Sequence, residues 1–144
     1  MTKQIWCDAS YDAKRGVAGF GIVIKDKGVK TRTISNWIPA SSINYAELFA
    51  VYQAAILAGG DGVIYTDSQT ALTYLYGSIK DKPRTREQYI RHQNMRVLAY
   101  KIRRLGVRVE KVKAHQKIYH EGALCNNMAD LMAKYGRSKF YDRS

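Results

Sequence analysis

From Ile43 to Ala58 the chain follows a helical pattern that is apolar almost all round and stops at Gly59-Gly60. Such a helix has no face to give to water, so it must pack against a sheet, and the rest of the chain has to supply one. Glu47 is its only charged residue. A surface helix would carry several charges, so a lone acid here points to a partner inside the fold.

The segment before this helix reads as three strands. Gln4 to Ser10 is a short apolar run broken by Asp8, which would be costly to bury ionised beside Ile5, Trp6 and Cys7. Asp8 therefore sits either at an exposed strand end or against a neutralising partner such as a metal ion. Val17 to Lys25 is the second strand, in which Gly19 and Gly21 alternate with Phe20 and leave one face bare for another backbone or a ligand. Asp26-Lys27-Gly28 is a hairpin signal, and Lys30 to Ile38 completes an antiparallel meander.

Beyond the helix, Gly62 to Asp67 repeats the theme of an apolar strand ending in an acid, and Ser68 is placed to cap a helix through Ala71, Leu72, Leu75 and Tyr76. Glu87 to Leu105 predicts a long helix with Ile90, Val97, Leu98, Ile102 and Leu105 on its core side. Val107 to Lys113 alternates as a final half-buried strand, and His115 follows it. After a polar loop from Gln116 to Gly122, Ala123 to Tyr135 predicts a helix with Leu124, Met128, Leu131 and Tyr135 as its core stripe and with Asn126 and Asp130 opposite. Residues 136–144 are polar and basic and are expected to be loosely ordered. The expected fold is α/β: one domain over residues 1–144, a mixed five-stranded sheet of three antiparallel strands and two further strands, flanked by helices.

Charge narrows the partners. The chain carries 24 Lys+Arg against 12 Asp+Glu, a net charge of +12, and the stretch from Lys80 to Lys113 holds 12 basic and 3 acidic residues, a local excess of 9. A basic concentration of this size attracts polyanions, nucleic acid first among them. It begins in the link after Gly77, at Lys80, Lys82, Arg84 and Arg86. No run approaches the roughly 18 apolar residues of a membrane span, and the N-terminus lacks the apolar region of a secretory signal. Cys7 and Cys125 have no metal-ligand spacing and read as reduced structural thiols, so a cytoplasmic location is expected.

Asp8, Glu47, Asp67 and Asp130 come from four elements, two at strand ends and two on helices. Gathered without compensation they would repel, and one of any close pair would be forced to protonate. Divalent cations remove that conflict, and hard oxygen donors without a Cys/His cluster favour Mg2+, or Mn2+, over zinc. Two such ions about 4 Å apart suit in-line attack on a phosphodiester. The acids and the basic stretch thus suggest the same substrate.

Asp8-Ala-Ser10, Asn44-Tyr-Ala-Glu47, Thr66-Asp67-Ser-Gln69, His115 and Asn126-Asn-Met-Ala-Asp130 together resemble the motifs of the ribonuclease H type 1 family, in the family's order and over residues 4–136. The resemblance implies a ribonuclease H-like fold and endonucleolytic cutting of the RNA strand of an RNA/DNA hybrid, leaving 5′-phosphate and 3′-hydroxyl ends. It implies that Asp8, Glu47, Asp67 and Asp130 hold two metal ions and that His115 assists proton transfer or product departure. Ser10, Asn44, Gln69 and Asn126 match substrate-contacting positions; Asn44 and Gln69 are those that read the minor groove and 2′-hydroxyls. The first turn, Tyr11 to Gly16, lacks the family's usual Asn, the loop after His115 is long, and the region between Asp67 and His115 is too short for a full basic protrusion. Substrate grip is therefore expected from Lys80 to Arg104, in a monomer. DNA-acting nucleases of the same scaffold, a non-catalytic hybrid-binding module, and a basic protein with structural acids are the alternatives.

Overall fold

The computed structural model describes residues 3–26, 30–80, 82–112 and 121–143, the side chain of residue 121 excepted. Strands β1 (Lys3–Asp12), β2 (Val17–Lys25) and β3 (Arg32–Pro39) are followed by α1 (Ile43–Ala58), β4 (Gly62–Thr66), α2 (Gln69–Tyr76), α3 (Arg86–Arg104), β5 (Arg108–Lys111) and α4 (Glu121–Tyr141). The sheet order is β3-β2-β1-β4-β5, with β1, β2 and β3 antiparallel and β4 parallel to both β1 and β5. This is the expected mixed five-stranded sheet.

Helix α1 has the predicted boundaries. The Ser42 hydroxyl accepts from the Tyr45 amide at 3.1 Å, and Gly59 ends the helix at φ 63, a left-handed conformation that glycine adopts without steric cost. It packs on the sheet through Leu48, Val51, Ala54 and Ala55, alongside Ile5, Cys7, Ile22, Ile24 and Ile64. Helix α3 covers α1 and α2, while α4 takes the other face of the sheet against β1, β2 and β3.

On that second face the packing rests on glycine. A Cβ at Gly21 would lie 2.5 Å from the Ala133 amide nitrogen and 2.6 Å from Met132 Cβ, and one at Gly19 would collide with the backbone of Ala133 and Arg137. Gly136 on α4 lies in the same way against the Asn36 backbone. The bare strand face read from the Gly19-Phe20-Gly21 alternation is thus filled by another backbone, that of α4.

This approach corrects the expected core stripe of α4. Leu124, Met128, Leu131 and Tyr135 are exposed, and the buried side is Cys125, Ala129, Ala133 and Gly136. Helix and sheet backbones lie too close for large side chains, so the small residues face inward and the large apolar ones are displaced to solvent. Helix α3 is corrected in part. Leu98 and Ile102 are buried with Met95 and Ala99, whereas Ile90, Val97 and Leu105 are exposed.

Residues 136–141, expected to be loose, continue α4. Ser35 Oγ donates to the Met132 carbonyl at 2.6 Å, Lys139 Nζ donates to the Ser35 carbonyl at 2.6 Å, and Trp37 meets Phe140 edge-on at 4.9 Å. Tyr141 donates its hydroxyl to Asp12. These tertiary contacts, which composition does not reveal, hold the last turns in place. The last strand is shorter than expected, Arg108–Lys111, although the Val112 amide still donates to the Thr66 carbonyl at 2.8 Å. Lys27 and Gly28 of the hairpin signal, together with His115 and the loop as far as residue 120, lie outside the described residues. Both cysteines are buried thiols.

Candidate functional site

The sheet topology creates the site at one place on β1. Parallel pairing with β4 ends at Trp6 opposite Tyr65, while antiparallel pairing with β2 runs on through Asp8 opposite Gly21 to Asp12 opposite Val17. Asp8 is therefore not at the end of its own strand, as the sequence suggested. It lies where the neighbouring strand stops. There the Ala9 amide has no β4 partner in register and donates instead to Asp8 Oδ1 at 2.9 Å and to Glu47 Oε1 at 3.2 Å.

Asp67 follows β4 directly and precedes Ser68, whose hydroxyl caps α2 by accepting from the Ala71 amide at 3.1 Å. Strand end and helix start thus hold this acid at the sheet edge. Asp8, Glu47 and Asp67 each offer a carboxylate oxygen, and these oxygens lie within 4.8 Å of one another. Asp8 and Glu47 are buried, and Asp67 is exposed. Among the described residues no donor reaches the buried Glu47 Oε2.

The electrostatic consequence is large. Burial pushes Glu47 up to about 10, with Asp8 and Asp67 adding repulsion. Burial also pushes Asp8 up to about 7, followed by repulsion from Asp67, and the hydrogen bond with Glu47 partly opposes the rise. A proton shared between Glu47 and Asp8 is what this geometry favours in the absence of a cation. Although its side chain reaches solvent, Asp67 is raised by partial desolvation and by Asp130, while the Lys111 ammonium pulls it back. Burial, then the charges of Glu47, Asp8 and Asp67, push the Cys7 thiol up, so Cys7 serves as a packed, neutral side chain beneath the acids.

An unpartnered buried oxygen, three converging hard donors and suppressed ionisation together fit a divalent cation. Asp130 stands outside the tight trio. It is half exposed and pairs with Lys134 at 3.1 Å, yet its charge raises both Asp8 and Asp67. Gly21 explains its approach: the strand position opposite Asp8 has no side chain, so the turn of α4 that carries Asp130 can come close. Asn126, one turn earlier on α4, has a buried Oδ1 without a partner among the described residues.

A groove of about 720 Å³ opens between the start of α1, α2, the link before α3 and the first half of α3. Asn44, Lys80, Lys82 and Arg84 line it, as the sequence proposed for a nucleic-acid surface, and the described lining includes no acid. Asn44 is one helical turn from Glu47, which connects the groove to the carboxylates. Arg86 is exposed at the start of α3, outside the groove lining. Ser10 is half-buried on β1, two residues after Asp8.

Arg91, within the stretch expected to grip substrate, adds a cation to the groove; sequence reading missed Tyr74, whose Oη lies 3.0 Å from His92 Nδ1 on the groove wall, and Lys111, which lies outside that lining. Lys111 Nζ, at the end of β5, donates to Gln69 Oε1 at 3.2 Å. The alternation of β5 could have placed Lys111 on one face, but only the register with β4 brings it beside Gln69.

A family model described as RNase H matches residues 2–138. The crystal structure of RNase H1 from the halophilic archaeon Halobacterium salinarum NRC-1 has the same fold, with a TM-score of 0.73 at 17% identity over 96% of this chain and 99% of that one. The native protease-reverse transcriptase of prototype foamy virus matches with a TM-score of 0.63 at 20% identity, over 93% of this chain and 20% of that one. At these identities the two structures speak for the fold alone. No curated protein matches by sequence.

Proposed function

Because the chain belongs to the RNase H family, we propose that it is a metal-dependent endonuclease that hydrolyses the RNA strand of RNA/DNA hybrids and leaves 5′-phosphate and 3′-hydroxyl ends. The observation that carries this reading is the convergence of Asp8, Glu47 and Asp67, with a buried Glu47 oxygen that no donor among the described residues reaches. Asp130 extends this set towards a second ion position.

Magnesium ions held there would supply Lewis-acid activation of a water and charge stabilisation at the leaving oxygen. The chain's own residues do the rest. The Ala9 amide fixes the Asp8 and Glu47 carboxylates so that their free oxygens converge. The buried Cys7, Trp6 and Ala46 exclude water behind the acids, which strengthens their field on a cation. Asn44 and Gln69 meet the sugar edges of the RNA strand through their side-chain amides. Lys80, Lys82, Arg84 and Arg91 hold the phosphates of the other strand in the groove. His115 is assigned proton transfer to the departing oxygen or product departure.

The test is cleavage of a strand-labelled RNA/DNA hybrid in Mg2+ and in Mn2+ by wild type and Asp67→Asn, with circular dichroism of both. RNA-strand cutting that disappears in a folded variant supports the proposal. Tight metal-independent binding without turnover would replace it with a hybrid-binding module, and cutting confined to DNA duplex would replace it with a DNA nuclease.

A further inference from the structure

Lys111 is the last residue of β5 and lies in register with Thr66, the residue before Asp67. Its ammonium crosses to α2 and donates to Gln69 Oε1 at 3.2 Å. Gln69 is the first residue of that helix, two positions after Asp67. The contact therefore ties the end of β5 to the start of α2, beside Asp67.

An ammonium has three donors and no acceptor, so it meets only the oxygen of a carboxamide. That fixes which end of Gln69 is taken. The amide nitrogen is turned towards Thr73 Oγ1 at 3.5 Å, the outer limit of a hydrogen bond, and the Thr73 hydroxyl proton is already committed to the Gln69 carbonyl at 3.0 Å. Gln69 thus offers its N–H protons to a ligand while its oxygen is occupied. A free glutamine on the surface would present either end and would lose rotamer freedom on binding.

We propose that Lys111 is a positioning residue for recognition of the RNA strand: by holding Gln69 Oε1 it makes Gln69 a donor aimed at acceptor oxygens of the ribose edge beside the cleavage site. This rests on the nuclease reading of the carboxylate site. Lys111 acts through Gln69, and its own charge reaches the phosphates only as a lesser, sequence-independent and sugar-independent attraction.

The experiment uses the full chain as wild type, Lys111→Met, Lys111→Arg, Gln69→Ala and the Lys111→Met/Gln69→Ala double variant. Affinity for a labelled RNA/DNA hybrid and for a DNA duplex of the same sequence is read by anisotropy without divalent metal, and cleavage kinetics follow in Mg2+. We expect Lys111→Met to weaken hybrid binding by about five- to tenfold, the scale of one neutral hydrogen bond, with a smaller loss on the DNA duplex. In cleavage, KM should rise by more than kcat falls. The double variant should be no weaker than Gln69→Ala alone, and Lys111→Arg should recover most of the loss, because a guanidinium also donates to the same oxygen.

Equal losses on both duplexes, with a salt dependence shallower by about one phosphate contact, would overturn the positioning role and leave a plain phosphate contact. Additive losses in the double variant would overturn it as well. A wild type that binds hybrid but cuts nothing would defeat the nuclease reading alone, since the selectivity of binding still tests the Lys111–Gln69 pair.

Discussion

Replacing Glu47 by glutamine should make the metal-free protein more stable while removing its activity. The carboxyl has an ordinary value of 4.5 and is pushed up to about 10 by burial and by Asp8 and Asp67. At pH 7 the unfolded chain ionises Glu47, so folding has to take up a proton, at a cost of about 3.5 kcal/mol at 1.4 kcal/mol per pH unit. Glutamine carries no such cost. Its oxygen can still accept from the Ala9 amide, and its NH2 can donate permanently to Asp8 in place of the shared proton.

The sign follows from the raised value. The wild-type carboxyl is neutral in both states below its ordinary value, so no deficit exists there; the deficit grows as pH rises and levels off only as the folded group ionises near 10. Urea unfolding in EDTA should therefore find Glu47→Gln within about 0.5 kcal/mol of wild type near pH 4 and about 4–5 kcal/mol more stable at pH 8. Added Mg2+ should stabilise wild type and narrow the gap. A variant that is less stable at pH 8, or a difference that does not change with pH, would refute the claim that Glu47 is held protonated among acids in the metal-free protein.

Gly21→Ala should cost about 3 kcal/mol or more, because the new Cβ meets α4 backbone, which cannot rotate away as a side chain can. Chemical denaturation measures it, and activity should fall further than stability because Asp130 is carried off with α4. On α4, Leu131→Gln should change stability by less than about 0.5 kcal/mol, whereas Ala133→Val should cost about 1–3 kcal/mol; the reverse ranking would restore the large-residue stripe as the core. Charge reversal at Lys80, Lys82 and Arg84 should raise KM for hybrid and flatten the dependence of log KM on log salt by about three phosphate contacts, while leaving thermal stability unchanged. Removal of divalent metal with EDTA should abolish cleavage, with recovery on adding Mg2+.

Local pattern was enough for the elements that bury an uninterrupted apolar face. Helix α1 could be bounded to the residue because Ser42 and Gly59 punctuate a run that tolerates no solvent. The strands β2 and β4 follow from β-branched runs between turn residues. The candidate acids were also legible, since a charge among apolar residues costs several kcal/mol and needs a reason to be there. Helix α4 defeated the same logic. Size and hydropathy select Leu124, Met128, Leu131 and Tyr135 as its core, yet the separation between α4 and the sheet selects against size, and that separation is a property of Gly19, Gly21 and Gly136 acting together across more than a hundred residues of chain.

The sequence by itself determined which side chains are candidates for chemistry, the order of the elements and the partner class that +12 attracts, because ionisation cost, hydrophobic periodicity and net charge are local or additive quantities. Only the tertiary structure decided where β4 stops beside β1, which frees the Ala9 amide for Glu47 and Asp8. It alone brought Lys111 to Gln69 and let Asp130 approach past Gly21. Register and backbone separation arise from contacts between distant segments, and no single segment encodes them.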